Sequence, residues 1–377
     1  RDSKVQSGHK GFRIEVDPGM TPADAAARRD FTINAMMFDP RRDAVLDFHH
    51  GREDLDKGVL RHTSPAFVED PLRVLRGMQF AARFDLRPAP ETVALCRRIR
   101  GAYGELAAER VREEWLKWAS QSVRPSAGLR FLEATEWLGH FPEIDVLRGT
   151  PQDPEWHPEG DVFTHTCHCL DALVRLAEWG AADPESRIVY SMAVLGHDFG
   201  KPQTTQRVLR DGRWRVISPG HEEAGGPIVE AFLGRFRTPE AIRRRVVPLV
   251  THHLAHLQAA TGRSVRRLAR RLDPETIQGL GVVITADAFG RPPKPCEAPS
   301  GLQALREKAA QLEVEASAPK PILKGRHLSA LGMEPGKEMG ALLAAAFEAQ
   351  LEGEFADLDG ARRWALDEIR RAAGPSA

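Results

Sequence analysis

Hydrophobic and polar positions divide the chain into four stretches. From residue 1 to about 65 apolar residues come in short alternating groups broken by turn formers, which predicts short strands closing a mixed sheet. From about 66 to 145 the spacing lengthens to three and four with alanine-rich runs, which predicts helices interrupted once at Pro88 and Pro90. Within this stretch residues 69 to 83 read as a helix that sends Leu72, Leu75 and Met78 into a core and sets Asp70, Arg73 and Arg76 together on another face. Residues 109 to 115 read as a second amphipathic helix. The Pro-, Asp- and Gly-rich run from 149 to 160 predicts a boundary, and helices follow to about 290, in a region expected to fold on its own. A linker containing Pro292, Pro293, Pro295 and Pro299 then leads to a helical tail with turns at 323–328 and at Pro335-Gly336. The expected class is mainly α, with an α+β beginning.

Composition narrows the picture. At 377 residues the chain is long enough for two or three compact units. Lys plus Arg equals Asp plus Glu at 53 each, so no global field draws in RNA, and any RNA surface has to be a local basic patch. Arg243 to Arg245 and Arg263 to Arg271 are candidates, though such clusters are usually solvated helix faces. The four cysteines show no paired metal spacing, and so few in so long a chain point to a reducing compartment. Cys167 and Cys169 interleave with His165 and His168, but two thiols on one helix do not close a zinc site. With no signal peptide and no apolar run of membrane length, a cytoplasmic location is expected.

Two strings carry the first chemistry: Arg28-Arg29-Asp30-Phe31-Thr32-Ile33-Asn34-Ala35-Met36, and Glu69-Asp70-Pro71-Leu72-Arg73-Val74-Leu75-Arg76. An Asp and two Arg at fixed spacing offer a carboxylate acceptor and planar donor forks, suited to a base edge and to triphosphate oxygens. In order, separation and the intervening Asp39-Pro40, Asp47-Phe48, Gly51 and Leu60-Arg61, the strings resemble the nucleotide-selecting half of bacterial-type tRNA nucleotidyltransferases: the CCA-adding enzymes and the bacterial poly(A) polymerases. The resemblance implies a protein template for CTP and ATP at Asp70, Arg73 and Arg76, with Arg28, Arg29 and Asp30 on the ribose and phosphates. Gln79 departs from relatives that carry a further Arg there. It also implies Mg²⁺ held for nucleotidyl transfer by an Asp-x-Asp pair, which this chain does not show. Ser7 to Phe12 resembles the segment just after that catalytic strand, and Asp2, Glu15 and Asp17 lack the pattern. The chain therefore reads as a fragment without the N-terminal catalytic motif.

A second constellation begins with His165, after Asp161-Val162-Phe163-Thr164. It continues through His197-Asp198-Phe199-Gly200-Lys201, His221-Glu222-Glu223-Ala224-Gly225, Thr251-His252-His253 and Ala286-Asp287-Ala288. It resembles the HD phosphohydrolase superfamily. The resemblance implies a helical bundle with metal ligands His165, His197, Asp198 and Asp287, and His253 in reserve as the distant ligand. Catalytic roles would fall to His197, Asp198 and Lys201, with Lys201 near the phosphate and His221 in a second-metal or proton-transfer role. Imidazole and carboxylate donors favour Ni²⁺, Mn²⁺ or Fe²⁺ over Mg²⁺.

The implied architecture is the C-terminal part of an α+β nucleotidyltransferase head (1–65), a helical nucleotide-selecting and RNA-binding neck (66–148), an HD-type bundle (149–290) and a helical tail (300–377). The expected activity is addition of CCA to tRNA 3′ ends from CTP and ATP, joined to hydrolysis of phosphates or 2′,3′-cyclic phosphates. The alternatives are poly(A) synthesis, and a degenerate transferase head that serves as an RNA-binding scaffold beside an active hydrolase.

Overall fold

The computed structural model describes residues 2–4, 12–14 and 19–372, with side chains from residue 19 onward. Ser7 to Gly11, Glu15 and Asp17 lie outside the described residues, as does the side chain of Asp2. The fold is mainly helical, and its strands pair only two at a time among the described residues. It forms two compact units: residues 1–251 with 285–297, and residues 252–284 with 298–377. The Pro-, Asp- and Gly-rich run at 149–160 lies inside the first unit.

In the first unit the Leu72–Phe84 helix buries Leu72, Val74, Leu75, Met78, Ala81 and Ala82, as its pattern predicts. It starts at Leu72 and not at residue 69, because Pro71 has no N–H and forces the residue before it out of the helical region. Asp70 accordingly sits extended at φ −126°, ψ 102°. From there its Oδ1 accepts a hydrogen bond from the Leu72 amide at 3.1 Å and caps the helix it was expected to lie in. Gly77 allows a close crossing: a Cβ there would come within 2.5 Å of the Phe131 ring on the Pro125–Ala134 helix. The Ala108–Gln121 helix closes this core with fully buried Trp115 and Trp118, the second donating from Nε1 to the Pro125 carbonyl at 3.1 Å. Truncating either indole to alanine costs about 3–5 kcal/mol.

The same core runs on into the histidine-bearing helices. Ser191, on the Pro184–Gly196 helix, donates to the Ala119 carbonyl at 2.7 Å. That helix packs on Ala108–Gln121, on Val162–Leu173 and on Glu240–Thr251, the last of which also packs on His221–Arg235. The helices of residues 162–251 thus share a core with those before them. The 149–290 region is not all helical. Gln206–Arg210 and Arg213–Ile217 form an antiparallel hairpin around Asp211 (φ 50°) and Gly212 (φ 73°). Asp-Gly between two short alternating runs is a strong hairpin signal, and the helical reading passed over it.

The second unit contains the Gly262–Leu272, Ser300–Gln311, Lys337–Glu352 and Leu358–Ala372 helices. Leu323 and Leu328 belong to its core with Met339, Ala346 and Phe355. The turn expected at 323–328 is a short helix, Gly325–Ser329, because Leu323 and Leu328 are buried anchors.

Candidate nucleotide and metal sites

The two strings near the start of the chain meet in the first unit. Arg76 pairs through Nε with Asp30, which also accepts from Asn34 Nδ2 at 2.7 Å. Burial works against the Arg76 charge, but the hydrogen bond and charge of Asp30 outweigh it, and the guanidinium pKa is raised. Asp70, besides its cap, accepts from Arg110 at 2.9 Å. Arg73 behaves differently from the reading as a template residue. Its two terminal nitrogens donate to the carbonyls of Ala66 (2.7 Å) and Arg28 (2.9 Å), so it ties the Arg28-Arg29-Asp30 turn to the helix. Arg28 is half-buried and Arg29 exposed.

Sequence reasoning missed Arg110 and Glu114, one turn apart on the Ala108–Gln121 helix. Glu114 is buried, lies 4.0 Å from Arg76, accepts from Lys117 at 2.8 Å and keeps its Oε2 without a hydrogen-bond partner. Gln79, at the departing position, is buried with its Nε2 likewise unpartnered. The site as a whole offers alternating guanidinium and carboxylate groups along two packed helices.

The second site is built at the ends of three helices. Asp161 caps the Val162–Leu173 helix through the Thr164 amide at 2.9 Å and accepts from the Gly149 amide at 2.8 Å, which fixes His165 in the first turn. His197 follows the Pro184–Gly196 helix, and Asp287 lies in the last turn of Ile277–Phe289. All three are buried, and His165 Nε2 stands 3.1 Å from Asp287 Oδ1 and 3.4 Å from His197 Nε2. His165 Nδ1 faces Glu159 Oε1 at 2.7 Å, and Glu159 also meets His157 at 2.9 Å. Arg291, one turn beyond Asp287, donates to its Oδ1 at 2.7 Å. Asp198 is buried beside Lys201 Nζ (2.8 Å), His197 Nε2 (3.3 Å) and His221 Nε2 (3.3 Å), yet none of these completes a hydrogen bond of good geometry to either carboxylate oxygen.

Charge distribution follows from this crowding. Burial disfavours the imidazolium of His165, but the Cys169 sulfur and the hydrogen bonds to Asp287, Cys169 and Glu159 prevail and raise its pKa well above the ordinary value. Burial likewise opposes charge on His197, and Asp198 overrides it, raising the pKa to about 10. Asp198 and Asp287 are held well below the usual carboxylate range against their burial, mainly by His197 and by Arg291 respectively. Two imidazoles and two carboxylates in a buried pocket, with neither Asp198 oxygen taken up by a hydrogen bond of good geometry, fit a divalent cation. His253 is buried, and Asp287 is the carboxylate brought to His165. Glu159 carries no sequence signal, because it reaches His165 from an irregular loop. Cys169 and Arg291 stand four residues from a ligand on a helical path and were visible by spacing.

Residues 3–61 match the family model described as the poly A polymerase head domain, and residues 162–290 match that of the HD domain. Both are metal-dependent families, so the class is a nucleotidyltransferase carrying an HD domain. Over 361 residues the chain is 37% identical to the multifunctional CCA protein of Xanthomonas campestris pv. campestris, a match covering 92% of this chain and 82% of that one. The multifunctional CCA protein of Stenotrophomonas maltophilia is 38% identical over 309 residues, covering 77% and 71%. The chain belongs to the multifunctional CCA protein family. Its fold is shared with the Bacillus stearothermophilus CCA-adding enzyme solved with CTP (TM-score 0.59, 18% identity, 94% of this chain and 76% of that one). The Thermotoga maritima CCA-adding enzyme solved with tRNA is also similar (TM-score 0.53, 18% identity, 93% and 74%).

Proposed function

We propose that this protein adds C and A nucleotides to the 3′ end of tRNA from CTP and ATP, and that its HD site hydrolyses phosphate or 2′,3′-cyclic phosphate at RNA ends. Membership of the multifunctional CCA protein family over nine-tenths of the chain carries the reading. Geometry supports it at both sites. Asp70 and Arg76 offer an acceptor and a donor fork to a base edge, their present partners Arg110 and Asp30 being groups a nucleotide can displace. Arg73 holds the turn that presents Arg28, Arg29 and Asp30 to ribose and phosphate.

At the HD site His165, His197, Asp198 and Asp287 would hold the cation. Glu159 at His165 Nδ1 directs Nε2 inward, the carboxylate–imidazole arrangement common around bound metals. When bound, a divalent ion there supplies Lewis-acid polarisation of a phosphoryl oxygen and a readily deprotonated water. Lys201, buried beside Asp198 and hydrogen-bonded to Gln152 Oε1 at 2.7 Å, places a positive charge for a phosphate oxygen. His221 supplies an imidazole for proton transfer on the opposite side of Asp198.

The test uses the full chain and two separate readouts. Asp70→Ala should weaken CTP and ATP binding by about 1–3 kcal/mol, the cost of an unmatched buried hydrogen bond, with less effect on GTP and UTP. His197→Ala should abolish turnover of a 2′,3′-cyclic nucleotide and leave nucleotide triphosphate binding intact. Equal affinity of the unaltered chain for all four triphosphates would overturn the selecting site. Turnover that survives His197→Ala would overturn the HD assignment.

A further inference from the structure

Cys169 lies one helical turn beyond His165, fully buried, with its Sγ 3.3 Å from His165 Nε2. The donor atoms of His165, Cys169, His197 and Asp287 all fall within 4.8 Å of one another. Donors that share one ion through bonds of about 2.0–2.3 Å at tetrahedral angles stand roughly 3.3–3.8 Å apart. From His165 Nε2 the separations are 3.4 Å to His197 and 3.3 Å to Cys169, within that range, and 3.1 Å to Asp287, just below it, so the sulfur stands from His165 as the second imidazole does. We propose that Cys169 is a sulfur ligand of the HD-site cation, which makes this pocket a mixed thiolate, imidazole and carboxylate centre rather than one of nitrogen and oxygen alone. The inference rests on the HD reading above.

Three further features support the assignment. Asp198 is buried next to His197 with ion-pair partners but no hydrogen bond of good geometry at either oxygen, which leaves both able to accept a cation. Gly290 packs against the helix at Cys169: a Cβ there would stand 2.7 Å from the Cys169 amide nitrogen and 2.8 Å from its Cα, and would collide with the sulfur. The helix is thereby pressed against the turn after Asp287, and the sulfur is held at the pocket with the Asp287 carbonyl 3.8 Å away. Local charge also balances. A thiolate added to the Asp198, Asp287 and Glu159 carboxylates gives four negative charges, faced by the two charges of the divalent ion, Lys201 on Asp198 and Arg291 on Asp287. A soft thiolate shifts preference toward Zn²⁺, Co²⁺ and Fe²⁺ and away from Mg²⁺.

The measurement is absorption of the full chain stripped of metal and titrated with Co²⁺, in a Cys296→Ser background so that the exposed thiol contributes no sulfur. A near-ultraviolet sulfur-to-cobalt charge-transfer band should grow with the visible d–d bands, saturating at one ion. Cys169→Ser should remove the charge-transfer band while the d–d bands persist, and should lower Zn²⁺ affinity relative to Mn²⁺ on the order of tenfold. Cys167→Ser, also buried on that helix, should change neither. Cobalt bound with d–d bands but no charge-transfer band, or a band that survives Cys169→Ser, would overturn the sulfur ligand and leave the HD metal site standing. Absence of any bound cobalt would overturn both.

Discussion

At the scale of single residues, side chains of one type prove to have different work. Arg73 and Arg76 are three apart on one helix, yet Arg76 faces a carboxylate and Arg73 faces two backbone carbonyls. Arg73→Ala therefore should weaken CTP, ATP, GTP and UTP alike, because it releases the Arg28-Arg29-Asp30 turn, whereas Asp70→Ala should act on discrimination. Calorimetric titration of the four nucleotides against both variants checks this; selective loss of CTP in Arg73→Ala would show that Arg73 reads the base. The difference was not legible in the sequence, since spacing places a residue on a face without saying whether its partner is a ligand or the chain itself. The motifs did place Asp30, Asp70, Arg73 and Arg76 within one site, and His165, His197, Asp198 and Asp287 within another. Cys169 was set aside on the ground that two thiols on one helix do not form a site. That ground holds for a site of cysteines, but it does not apply to a single sulfur that joins donors from two other helices.

At the scale of elements, apolar periodicity located the helices well where one face is buried and the other wet, as in Leu72–Phe84 and Ala108–Gln121. It failed where local chemistry overrides period: at Pro71, which moved a helix start by three residues, and at Asp211-Gly212, which turned an expected helix into a hairpin. The most constrained contact between elements is Gly290 against the Val162–Leu173 helix. Gly290→Ala forces backbone atoms apart, not the end of a flexible side chain, so an overpacking cost of about 1–3 kcal/mol is expected. Thermal unfolding of the variant should show a lowered Tm, and metal affinity should fall with it because His165 and Cys169 move with that helix. An unchanged Tm would mean that the two backbones separate at no cost.

At the scale of the whole molecule, the division into 1–251 with 285–297 and 252–284 with 298–377 means that no cut near residue 149 or 290 frees an intact unit. A fragment of residues 149–290 loses the Ala119 carbonyl that Ser191 bonds. It also strands the Gly262–Leu272 helix without the Leu351 carbonyl and Glu352, to which Arg266 and Arg267 donate at 3.0 Å each. Such a fragment should show no cooperative thermal transition by circular dichroism, while the full chain does; a sharp transition would restore the autonomous bundle. Among the described residues no helix is long and apolar enough to cross a membrane.

The distance in sequence between His197 and Asp287 has a consequence during synthesis. A ribosome delivers the two imidazoles, Cys169 and Asp198 first, then makes about ninety further residues, roughly 5–20 s of elongation, before the closing carboxylate exists. Part of the second unit is translated in that interval. On the proposed ligand set, a nascent chain would therefore carry two imidazoles, a carboxylate and a single soft sulfur before the closing carboxylate is made, open to whatever cation is most abundant or most tightly held. On that set, the metal loaded would thus depend on the free-ion pool at that moment as well as on equilibrium preference.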